Sequence, residues 1–428
     1  MKRKLGQFEI AAAISGEYAV WNIVGVLALE NGPAAEHLRP ALDHLQARHP
    51  MLNARLVREG RQPNFIFGDA PPIPLKILGR ADASHWIQVA EQELNLGFDH
   101  PQGPLLRCSY LSNGQGPADL VLTAQHCIAD GASIEALFKE LLDVCASLEA
   151  GGAPPRSQAY PPLPAVEDRF PAAFQGGRLR RKTLGYFLSQ MADEFRYQFS
   201  LIGKRKPPLQ PQATGYILHQ KTSPELTAQL VARTRKERVT LNSLINAALL
   251  LSVQKHLYGG AGMPFRYMSM ADLRPYLSEP PDRDEIACYI SPLRYTIEIP
   301  AGEDLWGLAK RINAQIYQSA KRGEKFLASV MARQFLQMTF SMKKFRMSTT
   351  ALSFGGSTAL EQYAGSYKIT GLHGYVSNFG MGPEFSGRVG LFQDQLNWDL
   401  LYMDIDLDQA GADAIMADIQ ERLADSIK

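Results

Sequence analysis

One histidine of the sequence stands in a pattern that suits acid–base chemistry. His126 begins the segment His-Cys-Ile-Ala-Asp-Gly, in which Asp130 follows four residues later and Gly131 comes next. Imidazole is the side chain best matched to proton transfer near neutral pH. An alcohol or amine that attacks a carbonyl group, such as that of a thioester, must lose a proton, and a histidine can accept it. The pattern therefore makes His126 a candidate general base.

The elements on either side of this motif explain how His126 would be positioned. The apolar run Asp119–Gln125 predicts a strand, and residues from about Ser133 to Leu148 predict an amphipathic helix. A histidine at the end of a strand can project into a cleft while the strand holds its backbone. We predict that Gly131 adopts a turn conformation that other residues resist. The alternative interpretation is a buried structural histidine, hydrogen-bonded at a turn.

Three further residues are of types that could have a catalytic or metal-binding role. Cys127 follows His126, but neighbouring residues on a strand point to opposite faces, so we predict that Cys127 packs in the core. His49 precedes Pro50 and is predicted to end a helix, where a cation is favourable. His373 lies in a Gly-rich stretch without metal-ligand spacing to another histidine, and we predict a loop residue there. No metal site is expected.

Composition limits the class of protein. With 45 basic and 43 acidic residues the net charge is +2, which argues against a nucleic-acid surface along the chain. The four cysteines form no C-x-x-C pair, so a reduced cytoplasmic protein is the simplest interpretation. The first twenty residues lack the unbroken apolar segment of a signal peptide. The stretch Leu244–Val253 is about half as long as a membrane span requires. We expect a cytoplasmic location and no transmembrane segment.

The length and the distribution of proline and glycine predict two domains. A chain of 428 residues is too long for one ordinary core. Residues 151–177 are rich in Pro and Gly and lack a periodic apolar pattern, which predicts a connection. We therefore predict a first half over 1–150 and a second half over 178–428, each with mixed α and β character.

Several segments resemble the thioester-dependent acyltransferase superfamily. That group includes peptide-synthetase condensation domains, polyketide-associated acyltransferases, alcohol acetyltransferases and wax-ester synthases. The motif His126-x-x-x-Asp130-Gly131 is similar to its signature. Further segments that look like parts of these proteins, in the same order, are Ala47–Leu56, Gly103–Arg107, Leu163–Pro171, Thr240–Asn242 and Ala271–Pro275.

The resemblance implies a fold and a site. The fold would be α/β, with two chloramphenicol-acetyltransferase-like halves that form a V with a tunnel at their interface. His126 would be the general base in that tunnel, while Asp130 and Gly131 would support the site, Asp130 often through a salt bridge. The co-substrate would be acyl-CoA or acyl-phosphopantetheine, and no tightly bound cofactor is implied.

The sequence departs from the family pattern near the motif. Gln125 stands where many relatives carry a first histidine. Asn53 stands where condensation domains usually carry an arginine able to pair with the motif aspartate. Arg55 or Arg274 could take that place, and we assign Arg274 to the support of the site.

The C-terminal loop of the family has two candidate segments here. Ser353–Gly356 fits by position, and Ser377–Gly382 fits by its letters, Ser-Asn-Phe-Gly-Met-Gly. We favour the second, which makes Asn378 and Gly380 supporting residues of the site.

These observations together predict an acyltransferase that uses a small-molecule acceptor. Transfer to a hydroxyl group is favoured over transfer to an amine, because Leu163–Pro171 resembles the connection of the alcohol-acylating branch. One alternative is a free-standing condensation enzyme that forms an amide between carrier-protein-bound substrates. Another is a non-catalytic binding or scaffold protein of the same fold.

A predicted amphipathic helix after the connection suggests a partner. Basic residues flank the stretch Leu184–Ile202 on both sides, so it could lie on an anionic membrane or attract an acidic acyl carrier protein. The favoured interpretation is that Phe187, Phe195 and Phe199 pack onto the second domain.

Overall fold

The computed structural model describes residues 1–428 except 61, 156–157, 198–212, 343–344, 346, 357, 359, 361–362, 364 and 379–383. The fold is mixed α/β and divides into two compact units. The first unit comprises Met1–Ala172, Arg274–Ile290 and Ser357–Ser377. The second comprises Ala173–Leu273, Ser291–Gly356 and Asn378–Lys428.

The first unit contains both strands and helices. They are β1 (Lys2–Lys4), α1 (Gln7–Tyr18), β2 (Asn22–Leu29), α2 (Ala35–Arg48), β3 (Ala54–Glu59), β4 (Gln62–Phe67), β5 (Leu75–Leu78), α3 (His85–Asn95), β6 (Leu106–Leu111), β7 (Ala118–Gln125), α4 (Gly131–Glu149) and, late in the chain, β12 (Ile369–Val376).

A five-stranded sheet in the order β12-β2-β7-β6-β5 forms the centre of the first unit. Neighbouring strands are antiparallel except for the parallel pair β5 and β6. Strand β7 pairs with β2 in a register that places Gln125 opposite Asn22, so the motif begins beside the start of β2. A Cβ atom at Gly25 would lie 2.4 Å from Ile134, and the missing side chain therefore lets α4 pack closely on β2.

The second unit contains a larger sheet and most of the remaining helices. Its elements are α5 (Gly176–Tyr197), β8 (Gly215–Lys221), α6 (Pro224–Glu237), α7 (Leu241–Tyr258), β9 (Met263–Asp272), β10 (Ile290–Ile299), α8 (Leu305–Arg322), α9 (Glu324–Ser341), β11 (Thr350–Gly355), β13 (Phe385–Phe392), β14 (Gln395–Met403) and α10 (Gln409–Asp425). The sheet has the order β10-β9-β11-β13-β14-β8.

Helix α7 lies in the core of the second unit. Its residues from Ser243 to Gln254 are all buried, which explains why the apolar segment Leu244–Val253 shows no polar face. Among the described residues, the helices are all too short or too polar to cross a membrane.

The strand and the helix predicted on either side of the motif occur as β7 and α4, and two other parts of the chain differ from expectation. Helix α1 was not predicted, and it is buried on almost all sides, from Phe8 to Ala13. His373 was predicted to lie in a loop, and that prediction is wrong. It belongs to strand β12 and stacks on Trp86, with ring centroids 4.4 Å apart. The glycines around it suggested a loop, but the pairing of β12 with β2 determines the conformation.

The aromatic residues of α5 only partly follow the prediction. Phe187 packs against Phe335 of α9, with ring centroids 6.3 Å apart. Phe195 is 82% exposed, so the prediction that it packs onto the second domain is wrong. Phe199 and Ile202 lie outside the described residues.

The two units do not follow each other along the chain. The first crossing from one unit to the other falls between Ala172 and Ala173, within the predicted connection 151–177. Two later segments, Arg274–Ile290 and Ser357–Ser377, belong to the first unit. The second of these includes β12, which pairs with β2, and the first brings side chains to the motif.

Candidate active site

His126 is the first residue after strand β7. Its backbone N–H donates to the carbonyl oxygen of Trp21 at 3.1 Å, which fixes the backbone beside β2. The side chain is buried, with 3% exposed. Nδ1 lies 2.9 Å from the carbonyl oxygen of Ala129, and because a carbonyl can only accept, Nδ1 must carry the proton. Nε2 of the neutral ring then carries the lone pair and can act as a base.

Burial determines the charge state of His126. Removal from water lowers the pKa of the imidazole, although the carbonyl of Ala129 and the charge of Asp130 partly oppose this effect. The ring is therefore neutral at neutral pH, which is the form that a general base requires.

Two aromatic rings and one thiol surround the imidazole. Phe8 and Trp21 make edge contacts with it, with ring centroids 6.3 and 6.0 Å away. The Sγ atom of Cys288 lies 3.9 Å from Nδ1. Burial raises the pKa of the Cys288 thiol well above its ordinary value, so this sulfur is protonated and a poor nucleophile. The neighbours of His126 are thus neutral groups that keep water away.

Asp130 is the N-cap of helix α4 and is held by four hydrogen bonds. One carboxylate oxygen accepts from the backbone N–H of Ser133 at 3.0 Å. The Arg274 guanidinium donates to both oxygens at 2.8 Å, and the N–H of Tyr289 donates at 2.8 Å. Burial alone would raise the pKa of Asp130, but Arg274 and these N–H groups outweigh it and hold the pKa below its ordinary value. Asp130 is therefore a charged structural group, not a proton acceptor.

Arg274 is itself fixed by several contacts. Its Nη2 donates to the hydroxyl of Ser133 at 3.0 Å, and that hydroxyl donates to the carbonyl oxygen of Ala287 at 2.7 Å. The guanidinium carbon lies 4.7 Å from the centre of the Tyr289 ring. The structure thus places Arg274 against Asp130.

The connection segment holds the far side of this arrangement. Arg169 donates to Glu285 at 2.5 Å and to the hydroxyl of Tyr289 at 3.1 Å. The Tyr289 hydroxyl also donates to Glu285. These contacts fasten the segment that carries Arg274 and Tyr289, because Glu285 and Tyr289 both belong to it.

The residues that depart from the family pattern have structural partners. Gln125 donates to the carbonyl oxygen of Ala12 at 3.0 Å and accepts from the N–H of Cys127 at 2.6 Å, which links the motif to α1. Asn53 donates to the carbonyl oxygen of Gln46 near the end of α2 at 2.5 Å. The side chain of Arg55 lies near Gly103.

Gly131 does not adopt the turn conformation predicted for it. Gly131 is the first residue of α4, and its φ is not positive. A Cβ atom added to it would meet no atom within 4 Å. The turn is made by residues 126–128 and by the extended backbone of Asp130, so Gly131 needs no special conformation.

Of the two residues of the favoured C-terminal loop, the structure describes only Asn378. Asn378 follows β12 and belongs to the second unit, and Gly380 lies outside the described residues. Ser377, just before them, donates through its hydroxyl to the carbonyl oxygen of Leu94 at 2.7 Å. The role of Asn378 and Gly380 stays a prediction.

Cys127 and His49 both have structural surroundings. Cys127 is fully buried, and burial raises its thiol pKa well above the ordinary value. His49 is the C-cap of α2, lies 2.8 Å from Glu140 and stacks on Tyr160.

Sequence reasoning missed Cys288 and the backbone of Tyr289. Both lie about 160 residues from the motif, at separations of 162 and 159, and no local pattern marks them. The contact with Ser133 was predictable. Asp is a preferred N-cap residue, and its side chain accepts from the backbone N–H three residues later.

A buried histidine and an arginine-bound carboxylate on a mixed α/β unit define the class of protein, one with a candidate site for group transfer. Comparison with known proteins identifies the family. The family model described as Condensation domain matches residues 10–260. Since that match covers more than half of the chain, the chain belongs to the condensation-domain family. A second model, Phthiocerol/phthiodiolone dimycocerosyl transferase C-terminus, matches residues 218–353.

The curated relatives are longer than the matched region. Phosphinothricin tripeptide synthetase PhsC of Streptomyces viridochromogenes is 30% identical over 183 residues, which are 41% of this chain and 16% of that protein. Phthiocerol/phthiodiolone dimycocerosyl transferase of Mycobacterium tuberculosis is 26% identical over 299 residues, which are 67% of this chain and 66% of that protein. The match spans less than two thirds of either relative.

Solved structures share the fold over the whole chain. Polyketide synthase associated protein 5 from Mycobacterium tuberculosis has a TM-score of 0.70 at 20% identity and covers 99% of this chain and 98% of its own. TRI3 trichothecene 15-O-acetyltransferase from Fusarium sporotrichioides has a TM-score of 0.75 at 14% identity, with 99% and 94% covered. The first condensation domain of the CDA synthetase has a TM-score of 0.71 at 13% identity, with 100% and 98% covered. These similarities confirm the predicted α/β fold class.

Proposed function

We propose that this protein transfers an acyl group from a coenzyme A or carrier-protein thioester to the hydroxyl group of a small acceptor, with His126 as general base. The hydrogen bond from Nδ1 of His126 to the carbonyl oxygen of Ala129 carries the proposal. This hydrogen bond fixes the tautomer in which Nε2 holds a lone pair. Burial lowers the pKa of the imidazole and so keeps the ring neutral.

The proposed reaction has two proton transfers at one nitrogen. Nε2 takes the proton of the acceptor hydroxyl while its oxygen attacks the thioester carbonyl carbon. The resulting tetrahedral intermediate collapses with cleavage of the C–S bond, and the imidazolium gives its proton to the departing sulfur. The products are an ester and a free thiol, and His126 is neutral again. Acyl transfer of this kind changes no oxidation state, so the proposal includes no redox cofactor, no metal and no tightly bound group.

Asp130 supports this reaction without taking part in proton transfer. Its carboxylate is engaged by Arg274 and two backbone N–H groups, so it cannot rotate toward the imidazole. Its negative charge near the ring favours the imidazolium that forms during the reaction. Burial thus lowers the pKa of the His126 ring, whereas the charge of Asp130 raises it.

The choice of a hydroxyl acceptor is supported by the relatives. The match over residues 218–353 is to the C-terminus of a dimycocerosyl transferase, and TRI3 is an O-acetyltransferase with a similar fold. A panel of donors and acceptors identifies the acceptor within this class and the length of the acyl chain.

Release of free thiol is the measurement that tests the proposal. Acyl-CoAs and acyl carrier proteins would be supplied with alcohols and amines to the wild-type protein and to two variants. His126→Ala removes the ring. His126→Asn retains an amide donor near the position of Nδ1 but lacks Nε2. We expect acceptor-dependent release to fall at least about a hundredfold in both variants.

The matched control replaces a histidine of the second unit, His256→Ala on α7, and should retain wild-type turnover. Equal activity of the wild-type protein and both His126 variants would refute the assignment of the base. Equal inactivity across the panel would favour the binding or scaffold interpretation instead.

A second candidate function is amide formation between carrier-protein-bound substrates. The match over residues 10–260 to the Condensation domain, and the identity with a tripeptide synthetase, favour it. Within the same panel, thiol release that requires an amine and a carrier-protein donor would identify this function, whereas release with free alcohols would identify ester formation.

A further inference from the structure

Helix α5 presents large apolar side chains to solvent. Leu184 and Leu188 are each 58% exposed, and Phe195 is 82% exposed. At about 100° per residue, positions 188 and 195 lie within roughly 40° of position 184 around the helix. The three side chains therefore lie on one side of the helix, and we call them the α5 row. Exposed apolar side chains grouped on one side of an element mark a binding surface, whereas scattered single residues do not.

Basic residues border the α5 row at its N-terminal end. Arg178, Arg180 and Arg181 are all exposed. The two acidic residues of the helix, Asp193 and Glu194, are half-buried, and Glu194 accepts a hydrogen bond from Arg266 at 2.6 Å on the inner side of the helix. The exposed face of α5 thus combines positive charge with apolar side chains.

A groove opens beside the α5 row within the same unit. It has a volume of about 400 Å³ and lies between α5 and α9, where Leu184 and Phe187 face Val330 and Met331. Arg180 also lines it, so a cation stands at an apolar cavity. Leu184 and Arg180 belong to both the groove and the exposed face, which makes the two features one surface.

We propose that this surface binds the interface of an anionic phospholipid bilayer. The α5 row would enter the boundary between headgroups and acyl chains, the groove would take one acyl chain, and the arginines would contact lipid phosphates. Guanidinium groups match phosphate geometry with two parallel hydrogen bonds. The proposal goes beyond acyl transfer and does not depend on it, because the residues of this surface have no part in the proposed reaction.

Co-sedimentation with lipid vesicles tests the proposal. Vesicles of phosphatidylcholine, pure or mixed with phosphatidylglycerol, would be combined with the full chain at low and high salt. We expect binding to the mixed vesicles only, with weakening at high salt. The double variant Arg180→Glu, Arg181→Glu should bind at least about tenfold more weakly. The double variant Leu184→Ser, Leu188→Ser should lose affinity at both salt concentrations.

A matched charge reversal is the control. Arg235→Glu with Lys236→Glu changes the net charge equally at two exposed positions of α6 and should leave vesicle binding unchanged. Circular dichroism and thermal unfolding would show that each variant is folded. Thiol release with short-chain substrates in the absence of vesicles should equal that of the wild type, which separates this proposal from the proposed activity.

Three outcomes would overturn the proposal. The wild-type protein could fail to bind phosphatidylglycerol vesicles. The α6 control could lose as much binding as the α5 charge variant, in which case net charge alone would explain the effect. Sedimentation velocity could show a dimer that the leucine variant abolishes while vesicles are not bound, and the surface would then be an interface between two copies.

Discussion

At the scale of single residues, the reactivity of His126 depends on which ring nitrogen carries the proton. The carbonyl oxygen of Ala129 lies three residues along the chain and selects Nδ1, so the motif itself supplies the partner that determines the tautomer. The other neighbours, Phe8, Trp21 and Cys288, are uncharged. Burial among these uncharged groups favours the neutral ring, so the proposed base would be in its active form before any substrate binds.

The pH dependence of turnover follows from this environment. Burial lowers the pKa of His126 below its ordinary value of about 6.5. Since the neutral ring is the active form of the proposed base, we expect kcat/KM to fall as the imidazole becomes protonated, with an inflection below pH 6.5. A pH profile of thiol release with an acceptor that does not titrate in this range measures it. An inflection above the ordinary value would contradict the environment described here.

The sequence predicts some residues of the site and not others. His126 and Asp130 lie in one short motif, so their types and spacing were sufficient to choose them. Arg274 could be proposed only as one of two arginines, because the separation of 144 residues from Asp130 leaves no local signal. Cys288 gave no signal at all, since its position depends on how a distant segment packs against the motif.

At the scale of elements, Asp130 joins helix α4 to the distant segment Arg274–Ile290. It caps α4 through the N–H of Ser133, and through Arg274 and the N–H of Tyr289 it holds the segment Arg274–Ile290. The carboxylate has a pKa below its ordinary value. Its stabilising contribution is therefore fully present above an ordinary carboxylate pKa of about 3.9 and is lost as the pH falls through the lowered value.

A double-mutant cycle on Asp130 and Arg274 measures this connection. Asp130→Asn leaves a largely buried guanidinium without its charge partner, so we expect a loss of about 2–4 kcal/mol in the free energy of unfolding at pH 7. The coupling energy between Asp130→Asn and Arg274→Met should be about 1–3 kcal/mol. Denaturant unfolding of the four proteins provides these values.

The same helix offers a control pair for the cycle. Lys139 and Asp143 on α4 form an ion pair whose side chains are 48% and 40% exposed. Their coupling energy should be only about 0.3–0.5 kcal/mol, because water screens exposed pairs. A coupling for Asp130 and Arg274 no larger than this would show that the ion pair does not hold the segment.

The elements that the sequence predicts well are those with a one-sided or two-sided apolar pattern. Strand β7 lies in a predicted apolar run, because both of its faces are buried. Helix α4 was predicted because one face is apolar. Helix α1 escaped because burial on almost all sides removes the periodicity on which the prediction depends. The pairing of β12 with β2 is a contact between distant parts of the chain that no local pattern determines.

At the scale of the whole molecule, each unit is assembled from three separate stretches of chain. The first unit takes its edge strand β12 from residues 369–376 and the partner of Asp130 from residue 274. The sequence predicted two halves in succession, with a boundary in the segment 151–177. Such a segment is easy to recognise from Pro and Gly, whereas a return of the chain to an earlier sheet leaves no compositional mark.

This assembly predicts that a fragment of residues 1–177 does not fold as an independent domain. Without β12, strand β2 loses a full antiparallel partner and Trp86 loses the ring of His373. Without Arg274 and Tyr289, the buried carboxylate of Asp130 loses three of its four hydrogen bonds. An exposed sheet edge and an uncompensated charge both favour aggregation or partial unfolding.

We expect the fragment to lack a cooperative thermal transition in calorimetry, while the intact chain unfolds cooperatively. Co-expression with a second fragment of residues 178–428, which supplies both missing segments, should restore the transition. A cooperative transition of the isolated 1–177 fragment would mean that its own core is sufficient, and that the later segments join a unit already folded.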